Sequence, residues 1–240
     1  MLEVKNLSYR TGLRQILKEM TLTVEAGEIV GVLGENGAGK TTFMRALAGL
    51  IHPEHGAVIK IDDQSGDVLK SLVSFIPNLN WAMKRDTVAS VAAFYQDAYV
   101  DFDSARWEAL RKDLKIDNQA KISKLSKGQL ERLIFALTVS REAKVILLDE
   151  PFSGVDVMTR RRVLQSLLRW LPESSIVLMS THEINEIESV IDRTLVIQDG
   201  QIIVDRGIDE IRSTEQMGLE QYFVQVVTEN RKGIESWWRQ

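Results

Sequence analysis

Residues 29–47 read IVGVLGENGAGKTTFMRAL. An apolar run, Ile29–Leu33, meets an amphipathic run, Phe43–Leu47, and the nine residues between them hold three glycines, one lysine and two threonines. A glycine-rich loop between a buried strand and a helix can turn its N–H groups inward without Cβ clashes. With the helix dipole behind them, those donors form a site for an anion. Gly34, Gly39, Lys40 and Thr41 match the pattern G-x-x-x-x-G-K-[ST] in its required context of strand, loop and helix. In such a loop Lys40 reaches the β- and γ-phosphates of a nucleotide and the Thr41 hydroxyl ligates Mg²⁺.

The rest of the chain is compatible with that start. Its 240 residues suffice for one sizeable α/β domain, or for one domain carrying an inserted lobe. A composition of 44% hydrophobic and 27% charged residues is that of an ordinary globular protein, and the net charge of −4 argues against a general nucleic-acid binder. The absence of cysteine excludes disulfides and thiolate metal sites and fits a reducing cytosol. No apolar run approaches the ~18 residues of a membrane span, and MLEVKNLSYR alternates like a strand rather than like a signal peptide. A soluble, cytoplasmic chain is expected, so any membrane part of its task falls to another polypeptide.

Two kinds of strand pattern are present. Leu2–Tyr9, Ile16–Glu25 and Val58–Ile61 alternate apolar and polar residues, as half-exposed antiparallel strands do. Glu28–Leu33, Leu72–Ile76, Val145–Asp149 and Ile176–Ser180 are continuously apolar, which suits a parallel sheet covered on both faces by helices. Leu195–Gln198 and Gln201–Asp205 flank Asp199-Gly200, a hairpin signal. Helices are expected at Lys40–Leu50, Val157–Leu171 and Glu183–Val190. Thr87–Tyr99, Asp103–Leu114 and Lys127–Arg141 form a further helical block with no strand pattern in it. The tail from about Met217 is aromatic and charged, and its pattern decides no element.

Several motifs follow the loop. VILLDEP (Val145–Pro151) puts Asp149 and Glu150 at the C-terminal edge of a buried strand, where open α/β sheets bind ligands. Phosphoryl transfer needs a carboxylate near Mg²⁺ and a group to orient water, although two adjacent carboxylates can also simply end a strand. In LSKGQ (Leu125–Gln129), Ser126 is a natural N-cap and the Gly128 amide lies in the first helical turn.

In order, the chain shows Tyr9, GENGAGKTT, Pro77-Asn78, LSKGQ, ILLDEP, SGVD (Ser153–Asp156) and STH (Ser180–His182). This series resembles the ATPase subunit of an ABC transporter over roughly residues 1–210. The resemblance implies a P-loop NTPase fold: a mostly parallel core sheet, an antiparallel β subdomain and a helical lobe at about 79–141. The ATPase domain would cover 1–216 and a C-terminal extension 217–240. It also implies roles. Tyr9 would stack on adenine. Gly34, Asn36, Gly37, Ala38, Gly39, Lys40, Thr41 and Thr42 would hold the phosphates of ATP. Thr41, Asn78 and Asp149 would serve Mg²⁺. Glu150 would polarise water, His182 would contact the γ-phosphate, and Lys40, on the β- and γ-phosphates, would be the third catalytic residue. Ser126, Gly128 and Gln129 would close over ATP held by a second ATPase subunit facing the first head to tail, with Asp156 near the interface. An integral membrane permease would feel the closure through the helical lobe and Asn78, holding this subunit to the inner face of the membrane.

Two positions depart from the family's pattern. Asn78 stands where glutamine is usual and is shorter by one methylene, ~1.5 Å. Lys127 replaces the first glycine of LSGGQ. At a helix N-terminus it opposes the dipole by roughly 0.3–1 kcal/mol, which a phosphate across the interface could offset; a solvated surface lysine is the alternative. LSKG signatures with a short helical lobe resemble the bacterial exporter branch that pairs with separate permeases. IESWWRQ at the end, with Trp237 and Trp238 beside Arg239, fits either packing on the domain or a contact with membrane or protein. A soluble ABC ATPase of repair or translation would need coiled-coil insertions or a second ATPase domain. A non-hydrolysing regulatory subunit is disfavoured by Glu150 and His182.

Overall fold

The computed structural model describes residues 1–237 apart from 77 and 153–155, and omits the side chains of 157, 186 and 232–237. The strands are β1 (Leu2–Thr11), β2 (Arg14–Val24), β3 (Ile29–Leu33), β4 (Val58–Ile61), β5 (Val73–Phe75), β6 (Val145–Asp149), β7 (Ile176–Ser180), β8 (Arg193–Gln198) and β9 (Gln201–Gly207). The helices are α1 (Lys40–Leu47), α2 (Leu69–Leu72), α3 (Val88–Ala98), α4 (Ser104–Asp113), α5 (Lys127–Val139), α6 (Val157–Trp170), α7 (Ile184–Ile187), α8 (Ile208–Glu215) and α9 (Leu219–Trp237).

The main sheet runs β5-β6-β7-β3-β8-β9. Its first five strands are parallel and β9 returns antiparallel beside β8. The continuously apolar strands are explained by the two cores that this sheet separates. Val30, Val32, Val145, Leu147, Ile176, Leu178, Leu195 and Ile197 enter one, together with Phe43 and Leu47 of α1 and the buried face of the β1–β2 ribbon. Leu33, Ile146, Leu148, Val177, Met179 and Val196 enter the other, with the helical insert and the C-terminal helices. Successive side chains leave opposite faces of a strand, so burying both faces requires an apolar residue at every position. The second sheet, β2-β1-β4, is antiparallel and alternates as its sequence does.

Between β5 and β6 the chain is helical. Local chemistry starts each helix: Thr87 and Ser90 close a capping box at α3, Asp103 accepts two amides at α4, and Ser126 with Gln129 closes a second box at α5. Arg141, 3% exposed, ties this block to the sheet edge. It donates to the Val73 and Ser71 carbonyls and to both oxygens of Asp101, and its guanidinium lies over the Tyr99 ring. A buried guanidinium satisfied on this scale is a specifying contact rather than a surface ion pair.

The ends of elements differ from the pattern reading where backbone caps intervene. The first helix stops at Leu47, because Gly49 and Leu50 turn their amides back to Ala46 and Arg45. The helix after His182 is a single turn, Ile184–Ile187. Residues 208–215, for which no element was expected, and 219–237, undecided by pattern, are helical. Tyr222 and Val227 of α9 are buried in the second core, so that part of the helix packs on the domain; the Trp237 side chain, Trp238 and Arg239 lie outside the described residues. Among the described residues no helix is long and apolar enough to cross a membrane.

The β8–β9 hairpin turns on Asp199 and Gly200, both at positive φ (49° and 81°), as a two-residue hairpin loop demands. Gly200 wedges between two other segments. Its carbonyl accepts from Lys18 N at 2.8 Å and its N–H donates to Ala38 O at 3.1 Å. A Cβ here would fall 2.2 Å from the Ile16 carbonyl oxygen. Gly200→Ala is therefore expected to lower the unfolding free energy by about 2 kcal/mol or more, from left-handed strain plus backbone overlap. Urea denaturation checks this, and an unchanged midpoint would refute it.

Candidate functional site

The parallel strands β3, β5, β6 and β7 end on one edge of the sheet. There the topology gathers the Gly34–Thr42 loop, Asn78, Asp149-Glu150 and Ser180–His182. A cleft of about 320 Å³ opens at this edge. Asn36, Gly37, Gly39, Lys40, Thr41 and Thr42 form its floor, Arg14 and Ile16 one wall, and Glu35 and Glu150 its acidic margins.

The floor is backbone. Gly39 has φ of 112° and caps α1 with no side chain; a Cβ there would lie 3.0 Å from Leu17 Cδ2 and 3.3 Å from the Ile16 oxygen. The first helical hydrogen bond is Phe43 N to Gly39 O, so by helix geometry the N–H groups of Lys40, Thr41 and Thr42 have no carbonyl one turn back. These donors, at the positive end of α1, make the cleft an anion site.

Lys40 is 7% exposed and folds back on the loop, donating from Nζ to the Gly34 carbonyl at 2.7 Å and the Glu35 carbonyl at 3.3 Å. Its ammonium is also 3.9 Å from Glu150 Oε1. Burial pushes its pKa below the usual lysine value, while the Glu150 and Asp149 carboxylates act in the opposite sense. A desolvated ammonium held by weak carbonyl partners is ready to transfer to a stronger acceptor such as phosphate.

One hydroxyl arranges the carboxylates. Ser180 Oγ donates to Asp149 Oδ1 at 2.6 Å and accepts the Glu150 N–H at 3.0 Å. Glu150 adopts φ of 50°, a left-handed conformation that costs an ordinary residue about 1–2 kcal/mol. Its Oε2 lies 2.7 Å from His182 Nδ1, so with an ionised carboxylate the histidine carries its proton on Nδ1. Glu183, the next residue, pairs with the buried Arg160 of α6, which anchors the loop that bears His182.

The other expected residues sit elsewhere. Tyr9 pairs with Leu17, a fully buried residue of β2, and is half-buried against the β-subdomain core. Arg14 and Ile16 line the cleft and Tyr9 is not among its lining residues, although Tyr9 and Ile16 both pack against the β-subdomain core. Asn78 is exposed and its Oδ1 accepts the Asn80 N–H at 3.0 Å, a local turn. Ser126, Gly128 and Gln129 are not among the residues lining the cleft of their own chain; Gln129 Oε1 accepts the Ser126 N–H at 2.8 Å. Asp156 caps α6 through the Met158 and Thr159 amides, while Pro77 and residues 153–155 lie outside the described residues. Arg14, Ile16 and Glu35 carried no motif signal, since wall residues can be of many types where backbone does the binding.

Among the described residues, no group of three or more His, Cys, Asp and Glu side chains gathers to hold a metal. The Thr41 hydroxyl in the cleft and the Asp149 carboxylate are an oxygen-only donor pair. This fits Mg²⁺, which is held by one or two protein oxygens plus phosphate and water rather than by a protein cage.

Comparison with known proteins agrees with this construction. The sequence model of the ABC transporter family matches residues 17–153, from β2 through the loop and the LSKGQ segment to just past Glu150. The chain belongs to the ABC transporter ATP-binding family. Relatives of this ATP-binding subunit carry both directions of transport in their names. The SkfA peptide export ATP-binding protein SkfE of Bacillus subtilis is 29% identical over 92% of this chain and 95% of its own. The aliphatic sulfonates import ATP-binding protein SsuB of a Mycobacterium species is 32% identical over 86% of this chain and 83% of its own. The fold is also that of a solved ATP-binding subunit of an ABC transporter, with a TM-score of 0.83, 23% identity, and 94% of this chain and 99% of that one covered.

Glu131 of α5 is a titratable group that sequence reading passed over. Burial raises its pKa above the ordinary 4.5; Lys127, one turn earlier, lowers it, and Asp149 and Glu150 raise it further. A carboxyl whose folded pKa is raised contributes stability below its unfolded pKa and loses it as pH rises through the folded value. Glu131→Gln should therefore melt above the wild type at pH 7.5, with the gap closing towards pH 4. A pH series of melting temperatures checks the sign, and a constant gap would contradict it.

Proposed function

We propose that this ABC transporter subunit hydrolyses ATP and that its hydrolysis powers export through a separate membrane permease. The observation that carries hydrolysis is the Glu150–His182 hydrogen bond of 2.7 Å, on a Glu150 whose backbone is fixed by the same Ser180 hydroxyl that holds Asp149. ATP enters with its phosphates on the amides of the Gly34–Thr42 loop, with Asn36, Gly37 and Ala38 shaping the turn. Lys40 exchanges the Gly34 and Glu35 carbonyls for β- and γ-phosphate oxygens. Thr41 and Asp149 would hold Mg²⁺, with Asn78 within reach through water. When bound, that ion neutralises charge on the phosphates. His182 passes its N–H from Glu150 to the γ-phosphate. Glu150 is then free to accept a proton from the attacking water, so the base is released only when a γ-phosphate is present. Tyr9 would stack on adenine, while Arg14 and Ile16 wall the phosphate cleft.

The cleft's outer side is open, and the Ser126–Gly128 turn, at the start of α5, does not line the cleft of its own chain. A second copy facing head to tail supplies that turn. Lys127, exposed at the start of α5, then stands near the partner's γ-phosphate. Export is supported by the LSKG signature and by the near full-length match to an export subunit, which extends into residues 217–240. In this reading the chain is held at the inner face of the membrane by its permease.

Glu150→Gln should lower ATP turnover by about 10²-fold or more while retaining ATP binding. Light scattering of this variant should shift from monomer to dimer on adding ATP. Unchanged turnover would remove Glu150 from the role of base. A monomer that binds ATP without dimerising would overturn closure on an identical chain.

A further inference from the structure

We propose that the C-terminal helix belongs to the nucleotide site: Arg231 neutralises Glu35 at the mouth of the phosphate cleft and is a positioning residue for the loop. The proposal rests on the ATP-binding reading and deepens it.

Glu35 is the second residue of the Gly34–Thr42 loop, and it lines the cleft. A carboxylate at the mouth of a site built for a polyphosphate repels its ligand, unless a cation covers it. The ammonium of Lys40 does not serve, because it bonds the Glu35 carbonyl oxygen and not its side chain. Among the described residues, the cation paired with the Glu35 carboxylate is Arg231, 33 residues beyond the end of β8 in sequence.

Arg231 is delivered there by a second, buried contact. Gln198, 5% exposed at the end of β8, donates from Nε2 to the Val227 carbonyl at 3.4 Å and accepts from Asn230 Nδ2 at 2.8 Å. A buried amide satisfied on both its oxygen and its nitrogen fixes the rotation and height of α9. Gln198 also precedes the Asp199-Gly200 turn, whose Gly200 N–H bonds the loop residue Ala38. The helix thus reaches the phosphate loop twice, directly by charge and indirectly through that turn. At its other end α9 is tied to the segment after His182, where Asn185 Nδ2 donates to Glu220 and Leu219 N donates to Glu188.

This placement makes nucleotide affinity depend on a residue far outside the family's motifs. Glu35 and Arg231 are each about half exposed, 48% and 56%, so the effect is electrostatic, modest and sensitive to salt. In the full-length protein at low ionic strength, Arg231→Ala should raise the Kd for a fluorescent ATP analogue by about three- to fivefold. The increase should shrink in 0.3 M salt. Arg231→Lys should bind as the wild type, and Glu35→Gln combined with Arg231→Ala should restore affinity to within about twofold. A brace acting only through packing would leave the double variant as weak as Arg231→Ala, and that result overturns the proposal. So does an Arg231→Ala protein that binds with wild-type affinity. A wild-type chain that fails to bind the analogue would instead refute the nucleotide reading itself, and this proposal with it.

Discussion

A loop that binds an anion through its backbone cannot also hold its own shape with side chains, so its neighbours must impose that shape. In this chain the neighbours are the β2 ribbon and the β8–β9 turn. They press so closely on the loop that a Cβ on Gly200 would overlap the Ile16 backbone and one on Gly39 would crowd Leu17. The contacts are backbone to backbone, Lys18 to Gly200 and Gly200 to Ala38, and they join the antiparallel subdomain, the parallel sheet and the phosphate loop at one point. The order of strands follows from the same need. With β3 central between β7 and β8, the loop stands beside the strand ends that carry His182 and the buried Gln198.

Around that loop the polar groups are arranged to be moved. Lys40 rests on carbonyls and His182 rests on Glu150, each on a partner weaker or less anionic than a nucleotide's phosphates. Glu150 is held in a left-handed backbone conformation that a single serine hydroxyl helps to fix. Such strain is sustained where surrounding structure over-determines it, and β6 and β7 supply that rigidity. The carboxylate pair is therefore not simply a polar end to a strand: Asp149 and Glu150 point to different partners and are bridged by Ser180.

The helical insert and the tail behave differently. The insert has the local signals that start helices, Thr87, Asp103 and Ser126, and the helical spans that follow them were readable. Its attachment was not, because it depends on Arg141 reaching Val73 and Ser71 some seventy residues away. The tail had no decisive period of its own. Its helix is set by burial of Tyr222 and Val227 against strands laid down earlier in the chain.

By itself the sequence determined the class of fold, the position of nearly every strand, the phosphate loop and the identity of the carboxylates and histidine beside it. Those features are local: period-two or continuous apolarity reports how many faces of a strand are buried, and a glycine-rich βα turn has few physical uses. Only the tertiary structure decided that Arg14 and Ile16 wall the cleft, that Ser180 bridges Asp149 and Glu150, and that Arg231 covers Glu35. Each depends on strand register or on contacts across as many as 196 residues of chain. Side chains that act by where they are brought, and not by what they are, leave no pattern in the order of residues.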